Sequence, residues 1–512
     1  MSVHVRPPRA HRWLPAALAL LLSACSQLPP LQGRTESAAI PATADTRLGA
    51  ALQPLLQANA GRSGIVPLAD GQDAFAARVS LADAAQGSLD VQTYIWRNDI
   101  TGGMLFAAMR RAADRGVRVR LLLDDINTGG LDPVLAALDA HPLIEVRLFN
   151  PFPNRTLRVL DYAADFARVN RRMHNKSFTA DNQVTIVGGR NIGDEYFDVG
   201  AGLLFVDLDV LAVGPVVGAV TSDFDRYWAS LSAYPLTQLL SAVTLAAGWQ
   251  EPEPVESEVA RTYRAAVARS RFVGDLVARQ LRFEWAPVLM VSDDPAKVLG
   301  LAGREDLLWT QLQRAMPPTT REVQLVSPYF VPTERGAAFF TDRAARGVQV
   351  SVLTNALEAT DVPAVHAGYA RWRKPLLEGG VRLYEMKRTG PPRASEAGPR
   401  AGSSSASLHA KTFAIDRQRI FVGSFNFDPR SARLNTELGF LIESPALAGA
   451  MADGFARQVP QRAYALRLEG ERLQWLEQGP GGVRVHEEEP NAGWWTRLLV
   501  RILSLLPIEP LL

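Results

Sequence analysis

The chain has 512 residues, too many for one ordinary core, so two domains are expected. A hydrophobic content of 47% with a mean hydropathy near zero excludes both a largely disordered chain and a polytopic membrane protein. With 55 basic against 53 acidic residues the net charge is +2, which excludes a broad nucleic-acid footprint though not a local basic cleft.

At the N-terminus, Arg6, Arg9 and Arg12 precede the apolar run 13–22 (WLPAALALLL), and Leu22-Ser23-Ala24-Cys25 follows. This is the pattern of a secretory signal. It also resembles a bacterial lipoprotein signal, which implies a signal peptide over 1–24, cleavage before Cys25 and lipidation of its thiol. Cys25 is the only cysteine, so no intramolecular disulfide, cysteine zinc site or internal cysteine nucleophile can be built elsewhere. Ser26 is not an acidic retention residue, and inner or outer membrane is left open. Residues 26–50 are rich in Pro, Ala and Thr, and the stretch 25–60 is expected to be a tether.

A first repeat follows, taken as 61–245. A helix is expected over 73–86 and a strand over 88–96. A second helix runs from Thr101 to Arg115, ended by Gly116, and a strand covers 117–123. Strand, helix, strand is the mark of a parallel βαβ unit. Further strands are expected at 146–149 and 184–187. The second repeat, taken as 246–475, has the same order: a strand at 323–326, a helix near 334–345 ended by Gly347, and a strand at 348–353. The stretch 111–125 (RAADRGVRVRLLLDD) matches 342–356 (DRAARGVQVSVLTNA), so scaffold as well as motif is duplicated. The Gly/Pro/Ser-rich stretch 386–407 reads as an exposed loop, or a flap, just before His409. In the extension 476–512, residues 494–506 place Trp494, Trp495, Leu498, Leu499, Ile502 and Leu503 on one helical face. That face suits either docking on a core or a membrane interface.

The chemistry lies in a duplicated cassette. His174-Asn-Lys176-Ser-Phe-Thr-Ala-Asp181 returns as His409-Ala-Lys411-Thr-Phe-Ala-Ile-Asp416. Each copy leads to a small-residue turn, Gly188-Gly189 or Gly423-Ser424, and then to Asn191 or Asn426. On an extended segment His and Lys at i and i+2 face one side. Lys brings a point charge for a phosphoryl oxygen, the imidazole can attack phosphorus or carry a proton, and the Asn amide can donate to a further oxygen. Two such sets would surround one phosphodiester. Each Asp reads more readily as a cap of the following turn than as an acid or base.

With these motifs the chain is identified as a member of the phospholipase D superfamily, from about residue 65 onward. It is most similar to bacterial cardiolipin synthases of the C type, through 94–102 (YIWRNDITG), 170–197, 327–336 (SPYFVPTERG), 353–385, 423–439 and the ending 503–512. The resemblance implies an α/β fold of two tandem phospholipase D-like α-β-α sandwich domains forming one pseudo-symmetric active site. It implies a ping-pong reaction through a phosphohistidine, with His174 as nucleophile and His409 as acid and base, a pairing that near symmetry allows to be reversed. Lys176, Lys411, Asn191 and Asn426 would bind phosphate, with Gly189 and Ser424 at the turns beside them. Glu437 would hold a histidine in its tautomer. The matching offset in the first repeat falls on Gly202, so Glu195, Asp198 and Asp207 are the candidates for that role.

No metal or cofactor is expected, because the lysines supply the charge. The expected substrates are phosphatidylglycerol as donor and a second phospholipid headgroup, of phosphatidylglycerol or phosphatidylethanolamine, as acceptor. A single membrane-tethered chain holds both half-sites; nucleic acid is not expected as a partner, and a helper protein is not legible. Tyr94, Trp96, Tyr329, Phe330, Tyr369 and Trp372 are candidates for an acyl or headgroup path or for the core. The competing readings are a hydrolytic phospholipase D with water as acceptor, an envelope nuclease fed by a patch of Arg155, Arg158, Arg168, Arg171 and Arg172, and an inactive lipid-binding scaffold.

Overall fold

Near-continuous runs of Val, Leu and Ile become strands covered on both faces, which is what a largely parallel, doubly covered sheet demands. The computed structural model describes residues 28–41, 43–197, 207–246, 248–249, 257–388 and 408–512. The signal peptide, Cys25, Asp198, Gly202 and residues 389–407 of the Gly/Pro/Ser-rich stretch lie outside the described residues.

The first sheet contains β1 (Ser63–Leu68), β2 (Ser88–Thr93), β3 (Arg118–Asp124), β4 (Ile144–Phe149), β5 (Ser177–Ala180), β6 (Val184–Gly188), β7 (Asp209–Val213), β8 (Ala233–Pro235) and β9 (Glu284–Ala286), in the order β8-β4-β3-β2-β5-β6-β7-β1-β9. The second contains β10 (Val288–Ser292), β11 (Glu322–Val326), β12 (Gln349–Asn355), β13 (Arg382–Met386), β14 (Lys411–Ile415), β15 (Arg419–Gly423), β16 (Leu438–Ile442), β17 (Ala463–Glu469), β18 (Arg472–Gly479) and β19 (Gly482–His486), in the order β10-β16-β15-β14-β11-β12-β13-β17-β18-β19. The duplication is visible in the central six strands: β4-β3-β2-β5-β6-β7 corresponds to β13-β12-β11-β14-β15-β16. In each, the first three are parallel and the last three antiparallel. The chain changes sheet at Pro287, between β9 and β10.

Helices α1 (Gly71–Ala84) and α2 (Ile100–Asp114) cover the outer face of the first sheet, with Phe75, Leu81, Leu105 and Phe106 in its core. Helix α3 (Pro215–Trp228) lies on the other face. On the second sheet α4 (Thr333–Ala345) and α5 (Pro363–Ala370) take the outer face through Phe340 and Tyr369, and α6 (Pro445–Arg462) the inner one. One core joins the halves: Val216 and Val220 of α3 and Val187 and Val210 of the first sheet pack with Val422, Phe440 and Phe455 of the second half. Asp70 and Asp99 cap α1 and α2 by accepting the N–H of Asp73 and Gly102. Gly116 (φ 96°) and Gly347 (φ 86°) follow the ends of α2 and α4 at equivalent points of the repeat, in the left-handed region that favours glycine.

The helices and strands expected for each βαβ unit are present within a few residues, although β2 stops at Thr93 rather than 96. Strand β1 is not legible in the sequence because Gly64 and Pro67 interrupt it. Pro67 is tolerated because β9 pairs only with Ser63–Ile65. The described part of the stretch expected to be a tether is docked rather than slack. Arg120 and Arg118 donate to the carbonyls of Ser37 and Ala38, and Arg34 reaches back to Ala229 and Ser230. Residues Arg47–Ala58 form a helix of their own.

Asp181 and Asp416, which close the two cassettes, both sit at the hairpin after their strand, with φ of 52° and 53°. The Asp181 carboxylate accepts the backbone N–H groups of Gln86, Gly87 and Ser88 at 2.7–3.1 Å, and Asp416 accepts those of Thr320, Arg321 and Glu322 at 2.8–3.0 Å. They lash each cassette hairpin to the entrance of β2 or β11. Asp181→Ala is therefore expected to lower unfolding free energy by about 2–3 kcal/mol in a denaturant titration. The folded fraction should keep its turnover, within about twofold.

Candidate active site

The site forms where the two halves exchange a short strand pairing. Met173 and Thr436 form a parallel bridge. The His174 N–H donates to the Thr436 carbonyl, and the Thr436 N–H to the Arg172 carbonyl, each at 2.9 Å. Below this bridge Arg172 is fully buried and paired with Asp124 at 2.9 Å, while Asp124 also accepts the Met173 N–H at 2.7 Å. Burial raises the Asp124 carboxyl to about 6, with Arg172 pulling the other way. The peptide carrying His174 is thus held from both sides before any substrate arrives. His-x-Lys is not on a strand in the first half, since β5 begins at Ser177. In the second half Lys411 is the first residue of β14.

The carboxylates are crossed between repeats. His174 Nδ1 lies 2.8 Å from Glu437 Oε2, and His409 Nδ1 lies 2.6 Å from Asp207 Oδ2. Glu437 therefore faces the histidine of the other repeat, and Asp207, a candidate for orienting His174, faces His409. Glu195 pairs instead with Arg97 at 3.2 Å. Strand register explains why offset counting missed Asp207. The Gly189 N–H donates to the Leu208 carbonyl as the Ser424 N–H does to Leu438, so Asp207-Leu208 is the counterpart of Glu437-Leu438. The first repeat simply takes a longer connection from Asn191 to reach it.

Gly189 and Ser424, expected beside the substrate, serve these carboxylates. A Cβ on Gly189 would stand 2.2 Å from Asp207 Oδ1, so glycine there makes room for the carboxylate. The Ser424 hydroxyl donates to Glu437 Oε2 at 2.5 Å, and Ser431, which sequence reasoning missed, donates to Oε1 at 2.7 Å. The Glu437 N–H donates to Asp293, itself paired with Lys297 at 2.9 Å. Nothing in the local sequence of residues 293 and 297 marks them, because their role exists only after folding.

Lys411 lines the cavity and Lys176 is buried beside the cavity-lining Tyr94, its ammonium 5.4 Å from the ring centroid; each donates to the carbonyl of the histidine two residues before it. Asn191 accepts the Ile95 N–H at 3.2 Å, while its buried Nδ2 has no hydrogen-bond partner among the described residues. Such a donor is available to a phosphoryl oxygen. Tyr94 packs edge-on to His174 and Tyr196 edge-on to His409, with ring centroids 4.8 and 5.3 Å apart. Of the aromatic candidates, Tyr94 and Tyr329 line the cavity, whereas Trp96, Phe330 and Tyr369 are core residues. The cavity, with its open mouth, spans about 1210 Å³.

Burial dominates the electrostatics. It lowers Lys176 to about 7 and Lys411 to about 8, and each is partly restored by acidic neighbours, Glu437 for the first and Asp207 for the second. Burial and then the two lysines push His174 well below its ordinary value. Burial and Lys411 hold His409 at about 4, against the pull of Asp207. The carboxylates part company: burial lifts Glu437 to about 7, whereas His409, Arg190 and Lys411 outweigh burial at Asp207 and keep it well below the carboxylate range. Burial disfavours the charge on both lysines, and an anion held between them would favour it.

The arginine patch near the first cassette is not a free basic track. Arg155 and Arg158 pair with Asp125, Arg168 with Asp165 at 2.8 Å and Arg172 with Asp124. Arg171 donates to the Lys297 carbonyl.

Comparison with known proteins bears on this site. Residues 79–228 and 310–459 both match the family described as "Cardiolipin synthase, PLD-like domain". Cardiolipin synthase C of Escherichia coli (strain K12) is 48% identical over 477 residues, covering 91% of this chain and 100% of that protein. An uncharacterized protein of Helicobacter pylori (strain J99) is 32% identical, covering 90% and 92%. The crystal structure of phosphatidylserine synthase from Haemophilus influenzae Rd KW20 superposes with a TM-score of 0.55 at 13% identity, over 91% of this chain and 100% of that one, a likeness of fold alone.

Two outcomes follow from the geometry. Gly189→Ala should displace Asp207 and lower kcat by about tenfold to a hundredfold, with little change in thermal midpoint. A singly charged, non-cleavable phosphodiester analogue should raise the pKa of both lysines on binding. Without a bound anion the lysines are charged below about 7 and 8 and lose that charge as pH rises. Affinity measured by calorimetry should therefore fall between pH 6 and 9 by up to about tenfold per lysine per pH unit. Proton uptake should accompany binding in the upper half of that range.

Proposed function

The chain belongs to the cardiolipin synthase family of phospholipase D-like domain proteins, and from that membership we propose how its site performs phosphatidyl transfer. It is a phosphatidyltransferase of the phospholipase D superfamily, a cardiolipin synthase in type, acting on phospholipids. The observation that carries the mechanism is the pair of histidines facing one cavity, each backed at Nδ1 by a carboxylate from the opposite repeat.

With Nδ1 engaged, Nε2 of each ring is left for chemistry. His174 attacks phosphorus of phosphatidylglycerol. The P–O bond to the headgroup breaks, His409 protonates the departing glycerol oxygen, and the phosphatidyl group remains on His174. A hydroxyl of a second phosphatidylglycerol then loses its proton to His409 and displaces His174, so two phosphatidylglycerols give cardiolipin and glycerol. Phosphatidylethanolamine has no headgroup hydroxyl and so cannot be the acceptor expected from the sequence; as the second lipid it is the donor, passing its phosphatidyl group through His174 to the glycerol hydroxyl of phosphatidylglycerol and releasing ethanolamine to give the same product. Lys176, Lys411, Asn191 and Asn426 bind the non-bridging oxygens and stabilise the charge that accumulates on them. The assignment of the two histidines is supported by their carboxylates. Asp207, firmly ionised, favours an imidazolium at His409, whereas Glu437 near 7 leaves His174 neutral and nucleophilic. A phosphate bound between the lysines would raise His409 from its low value and allow it to act as the acid.

The signal pattern and Cys25 support a lipoprotein of the bacterial envelope facing the periplasm, with one chain sufficient for chemistry because it contains both half-sites. Hydrolysis differs only in the second nucleophile. The paired arginines near the first cassette weigh against a nuclease.

Membrane-anchored protein given labelled phosphatidylglycerol, with and without phosphatidylethanolamine, is expected to make cardiolipin, whereas phosphatidic acid as the only product would make it a hydrolase. Rapid acid-free quenching with a labelled donor is expected to trap label on a peptide containing His174. The adduct should be absent in His174→Ala and formed, but turned over at least about a hundredfold more slowly, in His409→Asn. Label on His409 in the wild type would reverse the assignment.

A further inference from the structure

Helix α7 (Trp494–Ser504) is mounted with its apolar side outward. Val500, buried, and Leu503, half-buried, pack on Ala367 and Ala370 of α5. On the opposite side Trp494 is 62% exposed, Trp495 66% and Leu505 just beyond the helix 85%, with Leu498, Leu499 and Ile502 exposed between them. A helix that merely closes a core turns this face inward. Here the two indoles stack on each other at 3.8 Å, exposed Arg501 flanks the stripe, and the contiguous surface has no cover among the described residues.

The same segment leads to the active site. After α7 the chain turns through Glu509–Leu511, where Glu509 accepts the Trp372 indole N–H at 3.0 Å. Leu511 and Leu512 then line the cavity that holds His174 and His409, and the Arg430 N–H fixes the Leu512 carbonyl at 2.7 Å. Val365 of α5, the helix beneath α7, lines that cavity too. The exposed stripe and the mouth of the site therefore share one rigid wall.

We propose that the outward face of α7 and Leu505 is a lipid-docking surface that seats the cavity mouth on the bilayer, so that a phospholipid headgroup enters without its chains leaving the membrane. No helix among the described residues is long and apolar enough to cross a membrane, and a short Trp- and Arg-bearing amphipathic helix lies in the interface plane instead. The phosphatidyl-transfer reading supplies the choice of a lipid surface as occupant; the surface itself rests on the inverted face.

The test uses the full chain, wild type and Trp494→Ser/Trp495→Ser, on vesicles of phosphatidylglycerol and phosphatidylethanolamine with brominated acyl chains, which quench only inserted indoles. Wild-type fluorescence should be quenched and most of that quenching lost in the double variant. Turnover of vesicle lipid should fall about tenfold, while turnover of a water-soluble phosphodiester and the thermal midpoint are unchanged. Leu498→Gln/Leu499→Gln should reproduce the loss of vesicle turnover. Equal quenching in both proteins, or unchanged vesicle turnover, overturns the proposal. So does a variant that converts a dimer to a monomer in sedimentation with no change in quenching, since the face would then belong to a second copy. Quenching lost in the variant when neither protein makes cardiolipin would leave the surface standing and remove the transfer reading. Cardiolipin made equally well by both would do the reverse.

Discussion

The candidate active site depends on the exchange between Thr436 and the backbone of Arg172–His174. Two main-chain hydrogen bonds at that bridge put Glu437 of the second repeat against the imidazole of the first. Asp124 and Arg172 brace it from one half, Asp293 and Lys297 from the other. Because the carboxylates cross, neither repeat alone carries a histidine together with its carboxylate partner. The shared core between the two sheets is thus a condition of chemistry as well as of stability.

That arrangement also explains how so many charges are kept in one place. Two lysines and two histidines beside two carboxylates are costly to desolvate, and leaving one such charge unpaired costs about 3–5 kcal/mol. The protein answers with donors and acceptors of its own. Glu437 receives two hydroxyls and a histidine, and each ammonium rests on a backbone carbonyl. What remains is a buried amide donor without a partner among the described residues and two lysines whose charge a bound anion would favour, which suits a phosphodiester.

Much of this was legible in the sequence. The two His-x-Lys cassettes, their asparagines and the repeated βαβ scaffold are patterns local in sequence, and in the fold His174, His409, Lys411, Asn191 and Asn426 line one cavity with Lys176 buried beside it. What was not legible depends on three-dimensional pairing. Counting from the asparagine found Glu437 but landed on Gly202 in the first repeat, because the counterpart is set by strand register and the connection to Asp207 is longer. The partnership across repeats has no sequence signal at all. Asp181 and Asp416 share the cassette spacing for a structural reason, the tying of a hairpin to a neighbouring strand entrance. Gly189 is placed by the sequence at a turn beside the phosphate-binding residues; only the position of Asp207 reveals that its missing side chain makes room for a carboxylate. The amphipathic stretch at 494–506 was readable as a helix, but which side faces the body is decided by α5.

The crossed pairing is tested most directly by imidazole proton resonances in protein labelled with nitrogen-15 histidine, in which a hydrogen-bonded Nδ1–H gives a low-field signal. The account predicts that Asp207→Asn removes or shifts the signal of His409 while sparing His174, and that Glu437→Gln does the reverse, with assignments fixed by His174→Ala and His409→Ala. If each carboxylate change instead perturbs the histidine of its own repeat, the composite site described above is wrong.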